Sequence, residues 1–304
     1  MYLGGSAIGL RLVLFSLGFV RLPVETAARR GDRSTKQLAG SIAEARRGDL
    51  IVANHSSWID LLIVSYLYPG VQFLVPVTNE SPTAPQQQPD AAAAGSKKRT
   101  PKKNAMSANT RIVTPNSTTS STPSSDISVI GYTVLPLSSA LRFVGSLPPS
   151  RRQLVTQIHP DIATALSQSS TPLALFPEGT TSNNRALLTF SLLPTTQPNP
   201  THTTHLLTLK YNPPTPTSVT SVYTTPTPSN SIVKHSAKIV FLSNPVRSVA
   251  VRWTTHQHQG SSGEGWGEEL AQAVSNLARL KRTSIGWSAK WEFLQMVMAR
   301  SKRS

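Results

Sequence analysis

The chain of 304 residues contains no cysteine. That excludes a disulfide framework, a cysteine-ligated zinc site and a thiol nucleophile. Acidic residues are scarce: 14 Asp and Glu stand against 30 Lys and Arg, a formal charge of +16. A surface this cationic favours polyanions, meaning nucleic acid or an anionic lipid leaflet, unless the charge is diffuse and has no specific partner. With so few acids, each one lodged in an apolar stretch needs a reason. The seven histidines include no HExxH pair. At 38% apolar residues the chain can bury a core, while 24 prolines and abundant Ser and Thr suggest a folded domain interrupted by disordered stretches.

Long apolar runs are few. One covers residues 2–22, broken only by Arg11 before it ends in Arg21-Leu22. Its length is near the roughly 20 residues that span a bilayer. Arg11 costs a few kcal/mol in a spanning helix, so interfacial insertion with Arg11 snorkelling to the headgroups competes with a span. A secretory signal is disfavoured by the missing basic n-region, and a mitochondrial presequence by the apolarity of the stretch. Residues 1–26 are therefore expected to be an N-terminal membrane-associating segment.

Beyond it, residues 35–48 read as a short helix, and Leu50–Asn54 as a buried strand after the turn signal Gly48-Asp49. Trp58–Tyr68 reads as an apolar helix ended by Pro69-Gly70, and Val71–Val77 as a strand. Residues 78–126 are low in complexity and read as a disordered insertion, with a second Pro/Thr/Ser-rich one at 212–230. The run KKRTPKK in the first is a nuclear address, a nucleic-acid patch or a solvated loop touching anionic lipid. Arg151–Gln168 has helical spacing broken by Pro160. Leu173–Phe176, His205–Tyr211 and Ala237–Leu242 read as strands, and Ala186–Phe190 as a short helix. Two helices close the chain, Glu268–Lys281 and Trp287–Arg300. The latter suits core packing or, with its Trp and Lys290, a membrane interface. Strands alternating with helices predict an α/β domain over residues 27–250, followed by C-terminal helices over 251–304.

Two stretches carry chemistry. Residues 54–60, NHSSWID, sit where a strand ends and a helix begins. His55 there can act as a general base, and Asp60 can fix its tautomer and stabilise the imidazolium. The same residues also fit a capping box, with Ser57 as N-cap and Asp60 at N3. Both readings are compatible, because a carboxylate has more than one acceptor site. Residues 173–182, LALFPEGTTS, place Glu178 directly after an apolar strand, Pro177 where the ladder must stop, and Gly179 where the chain can turn sharply.

HxxxxD followed by a strand ending in FPEGT resembles the glycerolipid acyltransferases. LRFVGSLPPSRR (141–152) and FPEGTTSNNRALLTF point toward the fungal branch that acylates lysophosphatidic acid from an oleoyl-type CoA. The resemblance covers roughly residues 1–77 and 127–300. It implies an acyltransferase-type mixed sheet flanked by helices. It also implies acyl transfer from acyl-CoA to a lysophospholipid, with His55 as base and Asp60 as its orienter. Glu178, Gly179 and Thr180 are then expected to bind the acceptor's glycerol phosphate, and Asn54 to shape the loop. Acyl-CoA enters as a substrate and no cofactor is expected. A membrane or lipid-droplet surface is the expected partner, at the endoplasmic reticulum or a droplet, and no specific nucleic acid. Two departures concern the phosphate. Many relatives carry Arg after the EGT where this chain has Thr181, so Arg185 is the expected substitute. The second block, usually Gly-x-x-Phe-x-x-Arg, has Leu147 after Gly145, and Arg151 and Arg152 come late; either is expected as a phosphate ligand unless the two simply open the next helix. The rival within the same fold is a non-catalytic lipid-binding or trafficking protein.

Overall fold

The structure is a computed structural model and describes residues 3–26, 42, 44–79, 129–146, 148–154, 156–194, 203–225, 231–242, 244, 246–256 and 265–301. The chain divides into two units, residues 1–82 with 127–304, and residues 83–126. The second unit, with KKRTPKK and most of the expected insertion 78–126, lies outside the described residues.

In chain order the first unit runs α1 (Leu3–Ser16), β1 (Val24–Thr26), β2 (Leu50–Ala53), α2 (Trp58–Leu67), β3 (Gln72–Thr78), β4 (Val129–Leu135) and α3 (Leu137–Ala140). It continues with β5 (Ile158–His159), α4 (Ile162–Gln168), β6 (Leu173–Leu175), β7 (Ala186–Leu187), β8 (Thr204–Tyr211) and α5 (Ile232–Phe241). The last elements are β9 (Val249–His256), α6 (Trp266–Ala278), β10 (Lys281–Arg282) and α7 (Trp287–Ser301). Eight strands form one sheet in the order β1-β9-β8-β2-β6-β3-β4-β5, and β7 pairs with β10 separately. The β8–β9, β3–β4 and β4–β5 pairs are antiparallel and the others parallel, so the sheet is mixed. This agrees with the α/β expectation.

The central strands LIVA and LAL are buried at every position, as strands covered on both faces must be. Alternation along each strand sorts side chains into two cores. Ile51, Ala53, Phe73, Ala174, Leu207 and Leu209 pack on the α1–α2 side. Leu50, Val52, Leu74, Leu173, Leu175 and Leu206 pack with α4 and α6 on the other.

The expected N-terminal membrane segment is not supported. No helix among the described residues is long and apolar enough to cross a membrane. Helix α1 has 14 residues, about 21 Å at 1.5 Å per residue, short of the roughly 30 Å hydrocarbon core. Part of its apolar run is spent on the protein: Leu14, Leu17 and Phe19 are buried in the first core. Arg11 donates to the carbonyls of Phe19 and Val20, closing the chain reversal after α1.

Local expectations also change. Ala237–Leu242 belongs mostly to helix α5, not a strand. Ser231 caps it by accepting from the Lys234 N–H, and His235 and Ile239 bury one face four residues apart. Ala186–Phe190 is not a helix; Asn184 takes φ 60°, and β7 follows at once. Across Arg151–Gln168 the break expected at Pro160 is present: α4 starts after it with Asp161 as N-cap, while before it only a single turn at Arg151–Gln153 is helical and β5 follows. The helix expected at 35–48 falls largely outside the described residues, and its described end, 44–49, is a turn held by the Asp49 carboxylate on the Arg46 N–H. Strand β9 crosses the expected boundary at 250/251, which places those residues in the sheet. Residues 212–225 of the second expected insertion are described and bury Tyr223, whose N–H donates to Ser56 O.

Candidate active site

The site forms where β2 ends. Asn54 closes the sheet there: its amide donates to Leu209 O (3.0 Å) and its carbonyl accepts from Leu209 N (2.8 Å). Asn54 thereby extends the β2–β8 pairing by a side chain and fixes where the strand stops, and it is buried there.

The chain then turns through His55, Ser56 and Ser57 into α2. Asp60 is fully buried and accepts four hydrogen bonds. Its Oδ2 takes Ser56 N (2.6 Å), Ser57 N (2.7 Å) and His55 Nδ1 (3.1 Å), and its Oδ1 takes the Tyr211 hydroxyl (2.5 Å). The capping box is also complete: Ser57 Oγ accepts from the first turn of α2 while Asp60 accepts from the Ser57 N–H. The cap and the contact with His55 thus share one carboxylate. An acceptor at Nδ1 puts the imidazole proton on that nitrogen, so Nε2 carries the lone pair of a base.

The His55 ring stacks on Phe176, centroids 4.3 Å apart, and Phe176 stacks on Phe73. His55 lines a narrow cavity of about 60 Å³ whose other walls are mainly apolar, among them Leu61, Phe73, Phe143, Val144, Pro149 and Phe176. Its polar edge is the loop after β6, through Gly179 and Thr180.

That loop is tied to the His55 backbone at both ends. Glu178 Oε1 accepts from His55 N (2.8 Å), and Ser182 N donates to His55 O (2.7 Å). Glu178 Oε2 accepts from Leu188 N (3.1 Å). The Glu178 side chain is fully buried, and burial pushes its carboxyl up to about 8, against the pull of those N–H donors. Glu178 therefore joins two loops from within, whereas a headgroup ligand was expected. Gly179 takes φ +66°, and a Cβ there would meet Leu192 at 2.8 Å, so only glycine fits without a shift. Thr180 lines the cavity and its hydroxyl donates to Ser146 O (3.3 Å).

Arg151 and Arg185 are exposed, do not line the cavity, and form no ion pair among the described residues. Three residues at or behind the site have roles that sequence reasoning missed. Tyr211, at the end of β8, holds the second oxygen of Asp60. Burial pushes its hydroxyl well above the usual range, and the Asp60 charge adds to this. His235 of α5 accepts from Trp58 Nε1 on Nδ1 (3.0 Å) and donates from Nε2 to Thr220 O (3.0 Å), which backs the start of α2. Lys290 of α7 donates to Thr181 O (2.7 Å) and Thr181 Oγ1 (3.0 Å). The available signal was that strand ends collect functional groups in α/β folds, which points to Tyr211 but not to Lys290.

No family model, curated protein or solved structure matches this chain.

Proposed function

We propose that this chain is an acyl-CoA-dependent acyltransferase that acts on a lysophospholipid, with 1-acyl-glycerol-3-phosphate as acceptor and phosphatidic acid as product. The observation that carries the reading is the His55 imidazole held through Nδ1 by the fully buried Asp60 at the edge of an apolar cavity.

In this mechanism Nε2 of His55 takes the proton of the acceptor hydroxyl as that oxygen attacks the thioester carbonyl. Asp60 stabilises the imidazolium that forms. The tetrahedral intermediate collapses, the C–S bond breaks, and the CoA thiolate takes the proton back from His55. The ester and free CoA are the products, with no covalent intermediate on the protein. Apolar walls such as Phe73, Phe143 and Phe176 suit an acyl chain and keep water from competing for the thioester. The proposed setting is the endoplasmic reticulum or a lipid-droplet surface, where both amphiphiles reside.

The test is transfer of a labelled oleoyl group from CoA to lysophosphatidic acid by the purified full chain. His55→Ala is expected to lower kcat by about 10²–10⁴, the usual worth of a positioned base. Equal product with and without His55 sinks the catalytic reading and leaves lipid binding in its place.

A further inference from the structure

A half-buried cation stands on the loop after Gly179, and helix α7 delivers it. Helix α7 packs on the loop that carries Gly179: the Trp287 ring lies 3.5 Å from where a Gly179 Cβ would stand, and Trp287 and Leu294 cluster with Leu192. One turn on from Trp287, the half-buried Lys290 places its ammonium on the backbone and hydroxyl oxygens of Thr181. Thr180, the preceding residue, is cavity wall together with His55.

Two neutral oxygens are weak compensation for a partly buried ammonium, which has three protons to donate. Lys290 forms no ion pair among the described residues. Burial pushes its ammonium down to about 7, and the nearby Glu178 carboxyl pulls the other way. An anion arriving beside Thr180, the cavity wall next to Thr181, would add to the compensation that the two neutral oxygens and Glu178 give Lys290. Neither Lys290 nor the exposed Arg151 and Arg185 is a wall of the cavity, but Lys290 is half-buried and fastened to the residue that follows the wall residue Thr180.

We propose that Lys290, delivered by α7, is the specificity-determining residue that binds a phosphate monoester of the substrate beside Thr181. The proposal rests on the acyltransferase reading. The phosphate comes from the lysolipid acceptor or from coenzyme A, and kinetics distinguish the two sources. Full-chain wild type, Lys290→Met and Lys290→Arg are compared, with melting curves to establish that each is folded. Methionine keeps the length of the stem and removes the charge.

Lys290→Met is expected to raise KM about 10- to 100-fold for one phosphate-bearing substrate, the scale of a lost charge-assisted hydrogen bond. A rise for lysophosphatidic acid assigns the acceptor's phosphate, and a rise for acyl-CoA assigns the donor's. Lys290→Arg should stay within about threefold of wild type, since it restores the charge. If the acceptor supplies the phosphate, acylation of monoacylglycerol, which lacks it, should be equal in wild type and Lys290→Met. Unchanged KM for both substrates overturns the proposal, as does a KM rise for lysophosphatidic acid that is matched by an equal rise for monoacylglycerol. Titration of each variant with lysophosphatidic acid and with free CoA, followed by tryptophan fluorescence, reads the contact without turnover. A wild type that binds one of them through Lys290 but transfers no acyl group refutes the acyltransferase reading alone, and identical affinities in wild type and Lys290→Met refute the role of Lys290 alone.

Discussion

Asp60→Asn separates the two jobs of one carboxylate. The Asn carbonyl can stand in for Oδ2 and keep the N–H groups of Ser56 and Ser57 and the Nδ1–H of His55. Its amide nitrogen then faces Tyr211, whose hydroxyl can turn from donor to acceptor. The hydrogen bonds survive and the charge does not. Going from charge-assisted to neutral costs about 1 kcal/mol per bond, and relief from burying a charge offsets part of this. The expected net loss is about 1–3 kcal/mol, a fall in Tm of roughly 3–10 °C for a domain of this size. The rate effect is larger. With Nδ1 and Oδ2 3.1 Å apart, the charge centres of imidazolium and carboxylate lie roughly 4 Å apart, worth about 4 kcal/mol at an effective dielectric of about 20. At about 1.4 kcal/mol per decade, kcat should fall about 10³-fold. Acyl transfer and thermal melting are followed side by side, with Ser57→Ala as the control that removes the other half of the cap. Ser57→Ala should cost about 1 kcal/mol of stability and leave kcat within about threefold. An Asp60→Asn protein that melts lower but turns over at the wild-type rate would refute the reasoning and make Asp60 a helix cap alone.

Three further substitutions test the frame around the pair. Asn54→Ala strips the side-chain partners from the N–H and C=O of Leu209; a stability loss of about 2–4 kcal/mol should show as a lower urea midpoint at unchanged m-value, and an unmoved midpoint would mean the bracket contributes nothing. Glu178 has a folded-state carboxyl raised from 4.5 to about 8, so its contribution to stability is fully present below the unfolded value and is lost as pH rises through the folded one. The Tm of wild type relative to Glu178→Gln should therefore fall between about pH 5 and about pH 9, and a difference that stays flat contradicts the burial argument. Gly179→Ala forces a side chain into φ +66° with its methyl 2.8 Å from Leu192; a cost of about 1–3 kcal/mol and a matching drop in Tm are expected, while wild-type stability would mean the turn relaxes freely.

The sequence carried the strand–loop–helix pattern around residues 50–68 because its signals are local: an unbroken apolar run, a turn signal, then a capping box. It also carried the His55–Asp60 spacing. It did not carry the contacts of Tyr211 or Lys290, because they reach the site from 151 and 109 residues away along the chain; the strand end at Tyr211 marks a place but no partner, and Lys290 has no such mark. The α1 expectation failed for a related reason. Apolarity alone does not say whether lipid or protein covers it, and Leu14, Leu17 and Phe19 turn to the core. At Ala237–Leu242 a short apolar run looked like a strand, while the Ser231 cap and the His235–Ile239 spacing specified a helix. Glu178 stands out in the sequence as an acid directly after an apolar strand, where a headgroup ligand was the expectation. The reason for its place lies in two backbone N–H groups, one of them 123 residues away in sequence.

Those ties bear on how the site works. His55 is held at three points: its N–H by Glu178, its carbonyl by Ser182 and its Nδ1 by Asp60. Asp60 is held in turn by two N–H groups and a hydroxyl. In the proposed reading, a base fixed in this way loses little orientational freedom when a substrate arrives, so binding energy need not be used to align it. The arrangement is costly to assemble, since it buries Asp60 and Glu178 among apolar walls. A helix cap alone requires much less: Ser57 and one carboxylate oxygen are enough, and neither Glu178 behind His55 nor Tyr211 behind Asp60 adds anything to capping α2. The surplus of buried polar contacts converges on the orientation of one imidazole, which a base requires and a helix cap does not.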